Sequence, residues 1–362
     1  MRTSANNILA TSLAAFAFVT GGCFGKNDAS AAPNSSLNEV IQLAQKEGEL
    51  NILQSGFGDP QMWNKIQAAI NAKYRINIRL IGRPGPSSSS LTPRLIEEVR
   101  AGRKPSSDIV LSPPIQQMAL DKNEAATPVN WRELDPSIPL AAATKSGTGL
   151  MVGGSLITAV YNTNLVSRAS APKTLSDLRD RRYKGLIATS PYAGAWPPLA
   201  AALGLNEVES FLKEIASNGN LKGFIPLTDQ QRIASGEFGI LLFADSRARS
   251  DALIAQGAPL ETTTLGVNAA FTFAVNIIKG SSSPNLAKLV GLFLASREGQ
   301  AILSEYMNYE SAYLPGSSTY EALHAAQKRG EKIVIENEEL VAENPQIYLE
   351  FSKNYSRLVG TR

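Results

Sequence analysis

The stretch at residues 190–196, Ser-Pro-Tyr-Ala-Gly-Ala-Trp, has residue types suited to binding an anion at the start of a helix. Ser190 is a good N-cap residue, and Pro191 is favoured at the first helical position. The first N–H groups of a helix have no partner within it and attract negative charge. Ala193 and Gly194 let a ligand approach closely. The stretch predicts a site for a carboxylate, phosphonate or other oxyanion, with a plain helix cap as the alternative.

Residues for covalent or metal catalysis are scarce in this chain. It contains one histidine, His324, and one cysteine, Cys23, so zinc lacks its usual ligands. There is no Gly-x-Ser-x-Gly motif and no Walker A motif, and no Gly-x-Gly-x-x-Gly follows a predicted strand. The polar segment around His324 is typical of an exposed helix face. We therefore expect neither an enzyme nor a bound cofactor or metal ion.

Alternating helical and strand patterns place the 190–196 stretch in an α/β fold. Strands are predicted at 50–53, 76–81 and 108–111, with amphipathic helices before and between them. A second series has strands at 186–188 and 238–243 and a helix at 191–203, and one long helix follows at 286–306. This order predicts parallel sheets with helices on both faces. Ligands of such sheets bind in loops at the carboxyl ends of the strands, here 54–60, 82–90 and 112–114.

Composition excludes several classes of partner. The 35 basic and 32 acidic residues leave a net charge of +3, and no long Lys/Arg run is present, which argues against nucleic acid. Beyond the leader, no apolar stretch reaches the roughly 20 residues of a membrane-spanning helix. A chain of this length can form two domains.

Cys23 marks the end of a secretory leader. Arg2 and an apolar run at 8–19 precede Thr20-Gly21-Gly22, the layout of a bacterial lipoprotein signal, although Thr20 replaces the usual Leu or Val. Cleavage after Ala29-Ser30-Ala31 is the alternative. We expect export, acylation of Cys23 after removal of residues 1–22, and a flexible tether at 23–36.

Ten short segments in one order resemble the type 2 periplasmic solute-binding proteins of ABC importers, in the group that includes the ferric-ion binders. The resemblance covers residues 37–315. The segments, as they stand here, are AQKEGEL (44–50), EEVRAG (97–102), SDI (107–109), VYNTNL (160–165), PKTLSDL (172–178), YKG (183–185), ASGE (234–237), GAPL (257–260), REGQ (297–300) and Tyr309 near Pro315.

The resemblance implies two α/β lobes joined by two crossing strands, which close over a ligand without catalysis. The segments at 150–161 and 269–278, which link the two series, fit those strands. The implied lobes are 37–149 with 268–362, and 150–267. The implied partners are a small ligand and an ABC permease with its ATPase, for a monomer held to the membrane by lipid. We expect residues 333–362 to form a terminal helix on the first lobe, with a partner-docking tail as the alternative.

One departure from the family bears on the ligand. Ferric-ion binders of this group carry two adjacent tyrosines before the Gly-Ala-Pro segment, but residues 244–251 here are Ala-Asp-Ser-Arg-Ala-Arg-Ser-Asp. Two arginines repel a trivalent cation and attract an anion. The predicted ligand-binding residues are therefore Ser55, Gly56, Ser112, Tyr161, Ser190, Tyr192, Ala193, Gly194, Asp245, Arg247 and Arg249. A ferric ion held by scattered tyrosines, a ligand-sensing accessory protein, and arginines paired only with Asp245 or Asp251 remain alternatives.

Overall fold

The computed structural model describes residues 35–54, 60–244 and 247–360. Cys23, Ser55, Gly56 and Asp245, to which the sequence assigns roles, lie outside these residues. None of the helices in the described part of the chain combines the length and the apolarity needed to cross a bilayer.

The first part of the chain alternates helices and strands as its apolar pattern predicts. The elements are α1 (Ser35–Glu47), β1 (Glu49–Gln54), α2 (Pro60–Tyr74), β2 (Arg79–Pro84), α3 (Ser88–Arg100), β3 (Ile109–Ser112), α4 (Pro114–Lys122) and α5 (Trp131–Leu134).

The second series begins and ends with long strands. Its elements are β4 (Gly149–Asn162), β5 (Ile187–Thr189), α6 (Trp196–Leu203), α7 (Leu205–Ser217), β6 (Leu221–Phe224), α8 (Gln231–Ala234), β7 (Ile240–Ala244), α9 (Arg247–Ala255), β8 (Leu260–Thr263) and β9 (Asn268–Ile277).

The last part of the chain is mainly helical. It contains α10 (Pro284–Ala295), α11 (Arg297–Met307), α12 (Ser318–Lys328), β10 (Ile333–Ile335), α13 (Glu338–Glu343), a π-helical turn (Ile347–Phe351) and α14 (Ser352–Val359). The single helix predicted at 286–306 is wrong, because the chain breaks at Ser296. The Ser296 hydroxyl accepts a hydrogen bond of 3.2 Å from the Gly299 N–H and so caps α11.

The strands of the described residues form one ten-stranded sheet in the order β2-β1-β3-β9-β4-β7-β5-β6, with β10 beside β9 and β8 beside β4. Pairing is parallel between β1 and its neighbours β2 and β3, and between β5 and its neighbours β6 and β7. It is antiparallel where β9 meets β3 and β4. Two parallel regions therefore flank a central antiparallel pair.

The central pair, β4 and β9, connects two hydrophobic cores. Its register runs from Gly149 opposite Asn276 to Ile157 opposite Ala269. At one end Val152 and Val275 lie in the first core, and at the other Ile157 and Ala269 lie in the second. We call the regions around these cores the first and second lobes. The predicted two-lobed fold with two crossing strands is confirmed.

Two glycines let the crossing strands approach closely where they pass between the lobes. A Cβ on Gly153 would lie 2.0 Å from Cζ of Phe273, and one on Gly154 would lie 2.2 Å from the carbonyl oxygen of Phe271. The register of β4 on β9 also shifts between Met151 and Gly153. A side chain at Gly154 would collide with the backbone of β9, and one at Gly153 would displace the Phe273 ring.

The terminal helix α14 packs on the second lobe, so its predicted position on the first lobe is wrong. Phe351, Tyr355 and Leu358 are buried in the same core as Trp196 of α6. The Tyr355 hydroxyl lies 3.0 Å from Oγ1 of Thr189 and 3.1 Å from the carbonyl oxygen of the next residue. Burial of each large apolar side chain stabilises this attachment by about 2 kcal/mol. Apolar residues spaced along α14 do not reveal which lobe they face.

Glu336, between β10 and α13, should make stability depend on pH. Burial raises the pKa of its carboxyl group to about 7, against the opposing effects of Tyr348 and of the Thr272 backbone. The folded state therefore binds more protons than the unfolded state between pH 4.5 and 7, and stability falls as pH rises through that window. We expect Glu336→Gln to flatten this fall, measured as the free energy of unfolding in urea from pH 4 to 8. Glu343→Gln, exposed on α13, is the control, and equal pH slopes in all three proteins would contradict the assignment.

Candidate functional site

The end of β7 and the start of α9 both lie beside the crossing strand β4. Phe243 has a left-handed φ of +57°, which is unusual for a bulky residue and strained by about 1 kcal/mol. Its ring is held edge-on against Trp196, with the ring centroids 4.5 Å apart. Three residues after the strand ends, the Arg247 N–H donates a hydrogen bond of 3.2 Å to the Ser155 hydroxyl of β4. The start of α9 is therefore fixed beside the crossing strand.

A cavity of about 150 Å³ lies at this junction, between the two lobes. Arg247, Ala248 and Asp251 line it from α9, while Ser155 and Leu156 line it from β4; Asn308, Glu310, Ser318, Thr319 and Ala322 close the opposite side. Drug-sized ligands need cavities of about 300 Å³ or more, so this one fits a small solute or one end of a larger one.

Arg247 supplies the positive charge of the cavity. Its Nε lies 3.5 Å from Oδ2 of Asp251, one helical turn further along α9. The two side chains are 43% and 54% exposed. A pair this exposed contributes less than about 1 kcal/mol. A carboxylate or phosphate, which binds a guanidinium through two parallel hydrogen bonds, can therefore compete with Asp251 for Arg247.

The opposite wall is held in place by Glu310. Its N–H donates a hydrogen bond of 2.9 Å to the Gly154 carbonyl oxygen, which joins this loop to the crossing strand. Its carboxylate accepts a hydrogen bond from the N–H of Ser318, at the start of α12. Glu310 is thus both a structural tie and a second negative charge in the cavity. Sequence reasoning missed this wall, because residues 308–322 are distant in sequence and carry no binding motif; Asn308, left-handed at φ +56°, was the one local signal.

Arg249 takes a different direction from Arg247. Two residues along a helix point to different sides of it, and the Arg249 side chain is half-buried away from the residues that line the cavity. The structure therefore separates the two arginines that the sequence considered together.

The helix that follows the predicted anion stretch begins later than the sequence predicts, so Ser190 does not stand at its N-terminus. The helix begins at Trp196, not at Pro191, and its N-cap residue is Ala195. The Trp196 N–H already donates to the Ala193 carbonyl oxygen at 2.9 Å, and the next two residues, Pro197 and Pro198, have no N–H groups. The role of Ser190 as N-cap is therefore wrong.

The loop before α6 instead makes local and long-range contacts. The Ser190 hydroxyl accepts a hydrogen bond of 3.1 Å from the Tyr192 N–H, and its carbonyl oxygen accepts one from Tyr355. Gly194 has a left-handed φ of +51°, and a Cβ there would lie 2.9 Å from a methyl of Leu227. Tyr192 is 57% exposed at the loop's tip, a position from which it can cover a ligand. These residues do not line the described cavity.

Ser112 and Tyr161 have structural partners elsewhere. The buried Ser112 hydroxyl donates to Oδ1 of Asn276 on β9. The Tyr161 hydroxyl donates to the Glu261 carboxylate, which also binds Arg168, and burial raises the Tyr161 pKa to about 12. Tyr161 lies six residues along β4 from Ser155, about 20 Å at 3.3 Å per residue. Neither residue lines the cavity.

Comparison with known proteins gives the family. A model described as "Bacterial extracellular solute-binding protein" matches residues 104–329, more than half of the chain. The chain belongs to this family. It is therefore an extracellular solute-binding protein. No curated protein matches it in sequence.

Solved solute-binding proteins share its fold. Iron-bound HitA from Pseudomonas aeruginosa has a TM-score of 0.58 and 18% identity, over 78% of this chain and 99% of that one. Apo ferric ion-binding protein A from Pasteurella haemolytica has a TM-score of 0.64 and 16% identity, over 86% of this chain and 97% of that one. AfuA from Actinobacillus pleuropneumoniae, with exogenous fructose-6-phosphate bound, has a TM-score of 0.59 and 20% identity, over 86% of this chain and 97% of that one. At these identities the similarity establishes the fold alone.

Three tyrosines that could bind a ferric ion have separate surroundings. Tyr161 binds Glu261, Tyr192 is exposed before α6, and Tyr309 packs on Phe271 with the ring centroids 5.3 Å apart. Within residues 35–54, 60–244 and 247–360, no three His, Cys, Asp or Glu residues are grouped to hold a metal ion.

Tyr161→Phe tests whether Tyr161 belongs to the site. The loss of its hydrogen bond to Glu261 should lower the free energy of unfolding by about 1 kcal/mol, since Arg168 still pairs with that carboxylate. Ligand affinity, measured by calorimetry, should stay within about twofold of wild type. A loss of affinity as large as that caused by removing the Arg247 guanidinium would place Tyr161 in the site after all.

Proposed function

We propose that this protein captures a small anionic solute, such as a phosphonate, carboxylate or sugar phosphate, and delivers it to an ABC importer. The observation that carries the proposal is the position of Arg247. Its guanidinium lines the cavity between the lobes at the start of α9, and its own amide is fixed to the crossing strand. A fixed guanidinium recognises the paired oxygens of such anions.

The carboxylates of the cavity narrow the choice of ligand. Asp251 and Glu310 stand on opposite walls and would repel a ligand that is negative throughout. They favour a solute with one anionic group for Arg247 and hydroxyl or ammonium donors elsewhere. A sugar phosphate and an amino-carboxylate both have this pattern. Fructose-6-phosphate in AfuA is a precedent for an anion with several hydroxyls on this fold.

Ferric ion is the less favoured ligand. The fold is shared with iron-bound HitA, but no tyrosine occurs at 244–251, and Tyr161 and Tyr309 have other partners. A trivalent cation needs hard anionic oxygens, and the arginine at this position opposes it.

Closure of the two lobes supplies the transport step. The ligand contacts α9 of the second lobe and the 308–322 wall on the other side, so bound ligand favours the arrangement in which both are near. We expect the crossing strands to bend near Gly153 and Gly154, beside the register shift between Met151 and Gly153. The closed form is then recognised by a permease and its ATPase, and the protein carries out no chemical step.

Arg247→Gln should lower ligand affinity by about 30-fold, roughly 2 kcal/mol, because a charged hydrogen bond is lost. The ligand is first found by thermal shift with a panel of phosphonates, sugar phosphates, amino-carboxylates and sulfonates. Affinity is then measured from the fluorescence of the three buried tryptophans, of which Trp196 touches the strand end that precedes α9. Arg182→Gln, which removes an exposed guanidinium paired with Asp180, is the matched control and should bind normally.

Two results would overturn the anion assignment. One is unchanged affinity in Arg247→Gln for a ligand that the wild type binds. The other is a phenolate-to-iron charge-transfer band on addition of ferric citrate, together with no thermal shift from any anion.

A lipid on Cys23 is the proposed membrane anchor. It would confine the protein to the membrane that holds its permease and raise the local concentration for docking. Cys23→Ala should move the protein from the membrane fraction to the soluble fraction, leave ligand affinity unchanged and reduce uptake. Membrane association that persists in Cys23→Ala would exclude this anchor.

A further inference from the structure

The segment after α12 contacts both lobes, and it lies beyond residue 329, where the family match ends. It contains β10, α13, the π-helical turn and α14. Nothing in the binding role described above requires these residues. Their contacts show what they add to a two-lobed protein.

The end of the segment is fixed firmly to the second lobe. Phe351, Tyr355 and Leu358 are buried in its core, and the Tyr355 ring centroid lies 6.4 Å from that of Trp196. The Tyr355 hydroxyl reaches Thr189 at the end of β5. This end behaves as part of the lobe.

The start of the segment runs along a crossing strand. β10 pairs in parallel with residues 268–270 of β9, the part of that strand in the second lobe. Just beyond, the Thr272 hydroxyl donates a hydrogen bond of 2.6 Å to the Glu336 carbonyl oxygen. The segment is thus carried past the point where β9 passes between the lobes.

The middle of the segment, α13, reaches the first lobe. Oε1 of Glu338 accepts a hydrogen bond of 3.0 Å from Nε2 of Gln117 on α4. Gln117 is fully buried and is itself held by Thr148, just before β4, at 2.9 Å and by Asn276 on β9 at 2.7 Å. The hydrogen-bond partner of Glu338 is therefore a side chain that the first lobe already holds in place.

The contact between α13 and α4 is weaker than the one made by α14. Asp121 of α4 lies beside Glu338, and burial together with this second carboxyl raises the pKa of Glu338. Lys145 opposes this rise through its backbone N–H and its charge, but its ammonium group lies 3.9 Å from Glu339 and is largely exposed. Two carboxyl groups that face each other repel when both are ionised. Movement of the lobes would therefore break the segment's contacts at α13 before those at α14.

We propose that residues 330–359 form an interlobe strap, fixed to the second lobe by α14 and docked reversibly on α4 through Glu338 and Gln117. The strap is a third connection beside the two crossing strands. It favours the lobe arrangement in which α13 meets α4, and α13 must release before the lobes can move apart there. The proposal rests on the lobe motion of the proposed function but not on the ligand.

The test is hydrogen exchange on the ligand-free, full-length protein, with small-angle scattering in parallel. In Glu338→Ala, amides of α13 and of α4 should exchange about tenfold faster, the effect of removing one charged hydrogen bond, while α14 stays protected. The radius of gyration should rise. In Glu338→Gln, α13 should exchange more slowly than in wild type, because the amide keeps the bond to Gln117 and no longer repels Asp121. Glu343→Ala, exposed on the same helix, is the control and should change neither measurement.

Three outcomes would refute the strap. The first is that Glu338→Ala speeds exchange in α13 but changes neither the exchange in α4 nor the radius of gyration. The second is loss of protection in α14 together with α13, which would describe an unfolding tail. The third is an equal effect of Glu343→Ala. Ligand-binding results do not enter this test, so it can fail or succeed separately from the proposed function.

Discussion

The antiparallel pairing of β4 with β9 is the constraint on which the rest of the molecule depends. Each strand is long enough to take part in both cores, so each lobe is completed by residues from the same two strands. Their close approach requires Gly153 and Gly154, because a side chain at either would collide with β9. Packing stabilises each lobe internally, whereas backbone hydrogen bonds hold the lobes together. Such a connection can bend without exposing either core.

The candidate site follows from this pairing. Arg247 is positioned because its amide binds Ser155 of β4, and the facing wall is positioned because Glu310 binds the adjacent Gly154. Both walls of the cavity are thus hydrogen-bonded to neighbouring residues of one strand. In the proposed function, a bend of that strand changes the distance between Arg247 and Glu310 and so couples ligand binding to the relative position of the lobes.

The site residues show where local reasoning fails. Ser190-Pro191 satisfies the rules for a helix start, yet the helix begins at Trp196, where Pro197 and Pro198 remove two of the donors that an anion needs. Tyr161 and Ser112 are polar residues at strand ends, but each is bound to a partner from another element. The sequence predicted the C-terminal helix but not the lobe on which it packs, because an apolar helix face does not specify which apolar surface it will contact. The strap's contact with Gln117 joins residues 221 positions apart.

By itself, the sequence determined the order of elements, the two crossing segments, the family and the arginine in place of tyrosines after β7, because these depend on local periodicity and on motifs in a fixed order. Only the tertiary structure decided which polar residues meet. It placed Arg247 but not Arg249 at the cavity, showed that Ser190 does not cap α6, and brought Glu310 and Ser318 to the cavity. The physical reason is that a site between lobes is made by side chains from distant segments, and their convergence depends on the packing of whole elements.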